Sequence, residues 1–328
     1  MSSRDDHKLD VFFYEAFREE EEELRTLLGN TCAYDFSPLT VQELHQQEPP
    51  ARLISIRTQS KIPTDWSTQL GGVLSRSTGY DHLVAYRAKI AKSLPMGFLD
   101  EYATRAVAEQ AILLSLALLR KLPDQMEKFK SFQRDGLTGF ECPGKNMLVV
   151  GVGRIGSEIC RIGSALGFVV RGVDIVPRNA DVAYLPKEEG IAWADVIICA
   201  MNLTDENRGY FSDGLLRRAK RGAILVNIAR GEHTPVKALT TALAEKILGG
   251  VGLDVYDDEG TLGASLRDSR AVEHEAVRAI HGLAEYPNVI LTPHNAFNTL
   301  ESVKRKSQMS VEQVKHFLRH KDFIWKIG

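Results

Sequence analysis

The sequence predicts an α/β protein built on a doubly wound parallel sheet, with a second, smaller α/β domain of flavodoxin-like type. Three observations predict it. Short apolar runs alternate with helical stretches along most of the chain. A glycine-rich turn, Gly151-Val-Gly-Arg-Ile-Gly156, follows one such run and opens a helix. Three later runs each lead into a chemically versatile side chain: Arg230, Glu259 and His294. At 328 residues the chain exceeds one ordinary core, so two domains are expected.

The first elements make up the smaller domain. Leu9–Phe13 reads as a strand, residues 15–28 as a helix, and Arg52–Ile56 and Gly72–Ser75 as further strands. The glutamate run 19–23 reads as the wet face of that helix, whose apolar side includes Phe13, Phe17, Leu24 and Leu28. The pattern breaks at Pro95, Gly97 and Asp100, and a helix begins near Glu101 or Ala103. Its stretch Ala106–Leu119 is apolar on nearly all sides, interrupted only by Glu109, Gln110 and Ser115. A helix without a polar face is buried inside a large domain or against another subunit.

After a polar stretch with Gly136, Gly139, Pro143 and Gly144, Met147–Val150 reads as the first strand of the larger sheet and 154–166 as its helix. Phe168–Val173 and Asp195–Cys199 are strands two and three; 223–227, 250–254 and 289–291 are strands four to six. Six strands alternating with helices match the two mononucleotide-binding halves of a Rossmann-type domain. A last helix, roughly 301–319, carries Val303, Met309, Val314 and Phe317 on its expected buried face and returns to the first domain. The expected domains are 1–100 plus 296–328, and 101–295.

Composition excludes several classes of partner. Hydrophobic residues at 44% and charged residues at 26% are those of a soluble globular protein. Net charge is −2 with no basic tract, so no nucleic acid is implied. Cys32, Cys142, Cys160 and Cys199 show no CxxC spacing, so neither a disulfide framework nor a metal site is assigned, and Cys160 and Cys199 fall in elements expected to be buried. The opening Met-Ser-Ser-Arg-Asp-Asp-His-Lys lacks a hydrophobic signal core, and no apolar run reaches membrane-spanning length. The reading is a reduced, cytoplasmic protein with no membrane partner.

The glycine turn is a dinucleotide fingerprint in the required context, after a strand and before a helix. Gly151, Gly153 and Gly156 allow the tight turn and a close approach of backbone to pyrophosphate, whose charge suits the helix start at Arg154 and Ile155. Asp174 ends the second strand, where a carboxylate accepts the adenosine-ribose hydroxyls. Its charge repels a 2′-phosphate, so NAD is favoured over NADP, although Arg178 softens that preference. Ligands of such sheets sit outside the carboxyl ends of the strands, so Arg230, Glu259 and His294 are delivered to one rim. A cation, an acid and a histidine beside a nicotinamide make a hydride-transfer site. Arginine meets a carboxylate with a two-pronged fork, and histidine exchanges protons near neutrality. A nearby carboxylate favours imidazolium, the form that protonates a carbonyl. Taken singly, Arg230 reads equally as a surface ion pair, Glu259 beside Asp257 and Asp258 as an acidic loop, and His294 as a loop histidine. Three such placements on successive strand ends are improbable by chance.

Together these segments resemble the D-isomer-specific 2-hydroxyacid dehydrogenase family over nearly the whole chain. The resemblance runs from Ser75-Arg-Ser-Thr-Gly-Tyr-Asp-His82, through Tyr102 and Ala106-Val-Ala-Glu109, to Pro293-His-Asn-Ala-Phe297. It implies that Arg230 binds the substrate carboxylate and polarises its keto group, that His294 gives or removes the proton, and that Glu259 pairs with His294. It implies that Asp254 sits where the nicotinamide carboxamide is held, and that Thr78 and Gly79 grip the carboxylate through their backbone. Tyr102 and Phe297 fall at pocket-lining positions, or equally serve as interface packing. A homodimer is also implied.

The chain departs from the pattern at 202–204, which read Asn-Leu-Thr where many relatives begin with proline, and at Gln110, where many carry histidine. The stretch 260–286, with His274 and His281, reads as solvated helix, and Arg57 and Lys61 as exposed charges with acid-selecting roles as the alternative. Glu259 argues against formate oxidation, which characteristically uses glutamine there. The short tail after His294 leaves no room for the regulatory domain of long phosphoglycerate dehydrogenases. The leading expectation is NAD-dependent interconversion of a small 2-keto acid and its D-2-hydroxy acid. Short phosphoglycerate dehydrogenase, phosphite dehydrogenase and a nucleotide-sensing corepressor are the alternatives.

Overall fold

The computed structural model describes residues 9–268 and 274–327. The opening octapeptide and residues 269–273 of the polar stretch 260–286 lie outside the described residues. The chain divides into two compact units, Met1–Ala103 with Asn298–Gly328, and Thr104–Phe297. Among the described residues no helix is long and apolar enough to cross a membrane.

The first unit holds β1 (Leu9–Phe13), α1 (Arg18–Leu28), β2 (Tyr34–Phe36), β3 (Ala51–Ile56), β4 (Gly72–Ser75), α2 (Asp81–Arg87) and β5 (Met96–Gly97). The strands pair in parallel in the order β2-β1-β3-β4-β5, the flavodoxin-like arrangement. β2 and β5 were not expected from the sequence, because three and two residues are too few to show a period.

The second unit opens with α3 (Thr104–Leu119) and α4 (Leu122–Lys128). It continues through β6 (Asn146–Val150), α5 (Arg154–Ala165), β7 (Val169–Val173), β8 (Ala183–Tyr184), α6 (Lys187–Trp193), β9 (Val196–Cys199) and α7 (Asp213–Leu216). It closes with β10 (Ala223–Asn227), α8 (Val236–Ala244), β11 (Leu248–Leu253), α9 (Glu259–Asp268), α10 (Glu275–Ala284) and β12 (Val289–Leu291). The seven strands are parallel in the order β12-β11-β10-β9-β6-β7-β8. The expected third strand, Asp195–Cys199, is therefore the fourth; the two-residue β8 precedes it and lies at the sheet edge. From β6 the chain runs outward to β7 and β8, then crosses back to β9 on the other side. The topological switch point thus falls between β6 and β9, and a ligand crevice is expected at their carboxyl ends.

Helices cover the sheet, so β9 and β10 are buried along their entire length, as their unbroken apolar runs require. Leu148, Ile197, Leu225, Leu239 and Val251 lie at the centre of that core. The apolar helix α3 is covered within its own unit, packing on α5, β10 and β11. Gly250 and Gly252 of β11 leave room for its Leu118 and Leu114. Of the two sequence alternatives for α3, burial inside the domain is the one observed, with Leu113 its exposed large side chain.

The final helix, α11 (Leu300–His320), belongs to the first unit and packs on α1 and β4, where the Phe317 ring fills the space that Gly72 leaves. Val303, Val314 and Phe317 of its expected face are buried, but the face is broader and more polar than expected. Met309 is only half-buried, whereas Ser302, Lys306, Ser307, Ser310 and Gln313 are fully buried. Those polar side chains match a correction on the facing helix. Glu20, read from sequence as part of a wet acidic face, is completely buried, because helical spacing places it on one stripe with Leu24 and Leu28. Its Oε1 meets Arg76 Nε at 2.8 Å and Lys306 Nζ at 2.8 Å. Arg76 also donates to Ser55 Oγ (3.1 Å) and to the Tyr14 carbonyl (2.6 Å), tying together the carboxyl ends of β1, β3 and β4. Burial alone would raise the Glu20 carboxyl, but Arg76, Lys306 and Arg57 hold it down to about 2. Burial pushes the Lys306 ammonium down to about 7, against the attraction of Glu20.

Candidate active site

At the switch point the chain leaves β6 through Gly151, whose φ of 90° lies in the left-handed region that glycine adopts without strain. A side chain there would meet the Met201 backbone at 2.5 Å, and one at Gly156 would collide with the Gly151 carbonyl. Gly153, in contrast, has open space around it and stands at the start of α5 with no side-chain cap. The start of α5 thus presents backbone amides with no side-chain cap, which is the fit a pyrophosphate needs. Arg154 is exposed and Ile155 half-buried at that helix start. Asp174, at the end of β7, accepts from Val152 N (2.6 Å) and Val176 N (3.0 Å), so its carboxylate also fixes the glycine turn. Ile175 beside it is almost wholly exposed. The residues present fit a dinucleotide.

Arg230 follows β10 and begins a short 3-10 turn, Gly231–His233. Asn227, the last residue of β10, donates to the Arg230 carbonyl (2.8 Å) and Thr234 Oγ1 (2.9 Å) and accepts from Ala229 N (3.0 Å). Gly231 packs directly on the backbone of Tyr256 and Asp257, with no room for a Cβ. That contact places the Arg230 turn against the loop leading to Glu259. Glu259 opens α9; its Oε1 accepts from Tyr256 N (3.1 Å), and its Oε2 lies 2.7 Å from His294 Nδ1. Burial would raise the Glu259 carboxyl, but His294, the Tyr256 amide and Arg230 outweigh it and hold it below its ordinary value. With the Glu259 carboxylate as acceptor, His294 Nδ1 is the donor in this contact, which leaves Nε2 for proton exchange.

His294 lies at φ 51°, a conformation that side-chain-bearing residues rarely adopt. The carboxylate of Asp254 holds it there. Oδ1 accepts from Thr292 Oγ1 (2.5 Å) and Asn295 N (2.8 Å), and Oδ2 from Ala296 N (2.8 Å). Sequence resemblance assigned Asp254 to the nicotinamide carboxamide; in the structure it is fully buried and engaged with the histidine loop. Burial raises its carboxyl against those bonds. Tyr256 Oη adds a bond to the Thr292 carbonyl (2.9 Å).

Asn227, Gly231, Tyr256 and Thr292 were not singled out in sequence. Asn227 carried a legible signal, a lone amide ending an otherwise apolar strand. Of the expected pocket residues, Thr78 is exposed and Gly79 half-buried in the loop after β4 of the first unit. The Gly79 carbonyl accepts from Ser77 Oγ (2.7 Å). Tyr102, also in the first unit, and Phe297, in the second, are both buried. Arg57 is half-buried near the Phe17 ring and Lys61 exposed; His274 and His281 are exposed, and Cys160 and Cys199 buried.

Residues 112–296 match the family described as D-isomer specific 2-hydroxyacid dehydrogenase, NAD binding domain. The chain belongs to this family. It is an oxidoreductase of the CH–OH group of 2-hydroxy acids, and the second unit is its NAD-binding domain. The chain is 28% identical over 284 residues to 2-hydroxyacid dehydrogenase A of Aspergillus oryzae, covering 83% of this chain and 80% of that one. It is 30% identical over 219 residues to D-lactate dehydrogenase of Escherichia coli K12, covering 65% and 66%. Among solved structures it is similar to D-lactate dehydrogenase from Aquifex aeolicus complexed with NAD and lactic acid. That match has a TM-score of 0.83 and 26% identity, covering 96% of this chain and 99% of the other.

Gly231 gives a direct test of how this dehydrogenase assembles its site. Gly231→Ala should push the Arg230 turn away from the Tyr256–Asp257 backbone, and a misplacement of about 1 Å costs on the order of 10²-fold in kcat/KM. Steady-state kinetics with NADH and a 2-keto acid would reveal this; unchanged kinetics would show that the turn carries no catalytic geometry.

Proposed function

We propose that this dehydrogenase reduces a small 2-keto acid to the D-2-hydroxy acid, with pyruvate and D-lactate as the first pair to test. The contact between His294 Nδ1 and Glu259 Oε2 at 2.7 Å carries the reading, because it makes the histidine a proton donor of fixed tautomer on the rim beside the dinucleotide turn. Arg230 holds the substrate carboxylate and polarises the keto oxygen. Thr78, Gly79, Tyr102 and Phe297 keep the substrate-binding roles that the family resemblance implies. NADH, when bound, supplies the hydride to C2. His294 gives its Nε2 proton to the carbonyl oxygen as C2 is reduced, and Glu259 balances the imidazolium before that transfer. The reverse direction needs the neutral ring, which takes the hydroxyl proton. His294→Ala should lower turnover roughly 10²–10⁴-fold, the range for a positioned acid–base group. NADH binding should survive. A variant that turns over pyruvate and a panel of larger 2-keto acids as the parent does would remove His294 from the chemistry.

Preference for NADH over NADPH rests on the Asp174 carboxylate at the end of β7, whose charge opposes a ribose phosphate. Asp174→Ala should erode the ratio of kcat/KM for the two cofactors. Equal use of both by the parent protein would overturn the assignment.

The working form is a homodimer. The second unit exposes Met126 (68%), Phe129 (74%), Phe132 (74%) and Phe140 (54%) on and after α4, large apolar side chains that a partner surface would cover. These side chains, rather than α3, carry the expectation. Reducing conditions suit the four free cysteines, and we place the enzyme in the cytoplasm. Light scattering should give twice the 36.5 kDa subunit mass, and Phe129→Glu with Phe132→Glu should halve it. A monomeric parent at micromolar concentration would contradict this.

A further inference from the structure

The loop after β9 flanks the switch-point crevice opposite the glycine turn, with Met201 against Gly151. It holds little regular structure beyond the 3-10 turn Asp205–Asn207. At its start stands the Asn-Leu-Thr stretch that lacks the proline many relatives carry. Side chains supply the stiffness instead. Asn207 Oδ1 accepts from Thr204 N (2.8 Å), and its Nδ2 donates to the Asn202 carbonyl (2.7 Å).

His233 completes the arrangement. It has no exposed surface and ends the short turn that Arg230 begins. Its Nδ1 lies 3.2 Å from the Asn207 carbonyl and its Nε2 3.3 Å from the Met201 carbonyl, so one ring bridges the start and the middle of the loop. Its own carbonyl accepts from Phe211 N (2.9 Å), and its N–H donates to the Arg230 carbonyl (3.3 Å). An imidazole with carbonyls at both nitrogens is placed to donate, since packing alone asks for no polar ring there. Burial holds the ring below the ordinary imidazole range, the two carbonyls oppose that, and Arg230 and Arg208 lower it further. The neutral ring carries one N–H, so each tautomer donates to one of the two carbonyls.

We propose that His233 is a positioning residue for the dinucleotide, clamping the loop after β9 against the glycine turn from the same turn that carries Arg230. The proposal rests on NAD binding by this domain and adds a residue outside the glycine fingerprint that sets the affinity.

The test is the NADH dissociation constant of the full-length protein, by fluorescence titration, in two variants of comparable volume. His233→Phe keeps a ring and removes the N–H; His233→Gln keeps an amide donor. Losing the donor to a buried carbonyl should weaken NADH about tenfold in the Phe variant, and the Gln variant should stay within about threefold. KM for NADH should rise more than kcat falls. Melting curves by circular dichroism identify folded protein. A folded Phe variant that binds NADH as the parent does would overturn the clamp, as would equal losses in both variants, since shape alone would then matter. If the Phe variant does not fold, Asn207→Ala, which releases Thr204 and Asn202, carries the test: weakened NADH binding supports the clamp and parental binding overturns it. A parent protein that binds no NADH would sink the cofactor reading, and the clamp with it.

Discussion

The carboxylate of Asp254 is the constraint on which the candidate catalytic centre depends. It takes Thr292, Asn295 and Ala296 at once and so keeps His294 in a backbone conformation costing on the order of 1–3 kcal/mol. The His294 N–H donates to the Thr292 carbonyl (3.0 Å) and adds a local bond to that anchor. β11 and β12 are parallel neighbours, so their carboxyl ends open on the same rim. One strand end supplies the anchor and the Glu259 loop, and the next supplies the histidine. The 2.7 Å contact between Glu259 and His294 follows from that register.

Two carboxylates a few residues apart, one buried and one half-buried, thereby serve different ends. Asp254 spends its lone pairs on backbone and hydroxyl donors, and burial raises it. Glu259 meets an imidazole and lies within the field of Arg230, and it is held down. One organises the loop and the other sets the protonation pattern of the ring, so neither could take the other's place.

The α/β architecture and the larger sheet were legible because long apolar runs such as Ala223–Asn227 survive as buried strands, and because the glycine turn can only follow a strand. The switch point then follows from topology. β2, β5 and β8 were not legible, since elements of two or three residues are created by pairing with a neighbour rather than by their own pattern. Arg230, Glu259 and His294 were legible as a set because each follows its own strand. Their supports were not: the bonds of Asp254 and His233 go mainly to backbone groups, which leave no mark on the identity of the partner. The buried polar face of α11 was misjudged for a related reason. An apolar stripe, Val303, Val311, Val314 and Phe317, is buried as its spacing suggests, but the Lys306 beside it is buried because the facing helix presents Glu20, which no pattern within α11 reveals.

The glutamate run of α1 shows how unevenly a repetitive sequence can be constrained. Written out, residues 19–23 are five identical letters, and any one looks replaceable by the next. Four of them can vary with little penalty, since exposed or half-exposed carboxylates contribute little. The remaining one, Glu20, pairs with two buried cations, and without it Arg76 and Lys306 would lose that shared counter-charge in a dry interior. A one-residue slip of the run would preserve its composition, charge and helix propensity and still remove the counter-charge. Sequence drift in this segment is therefore confined by position and not by chemistry, and a low-complexity stretch conceals a single site as exacting as those around the cofactor.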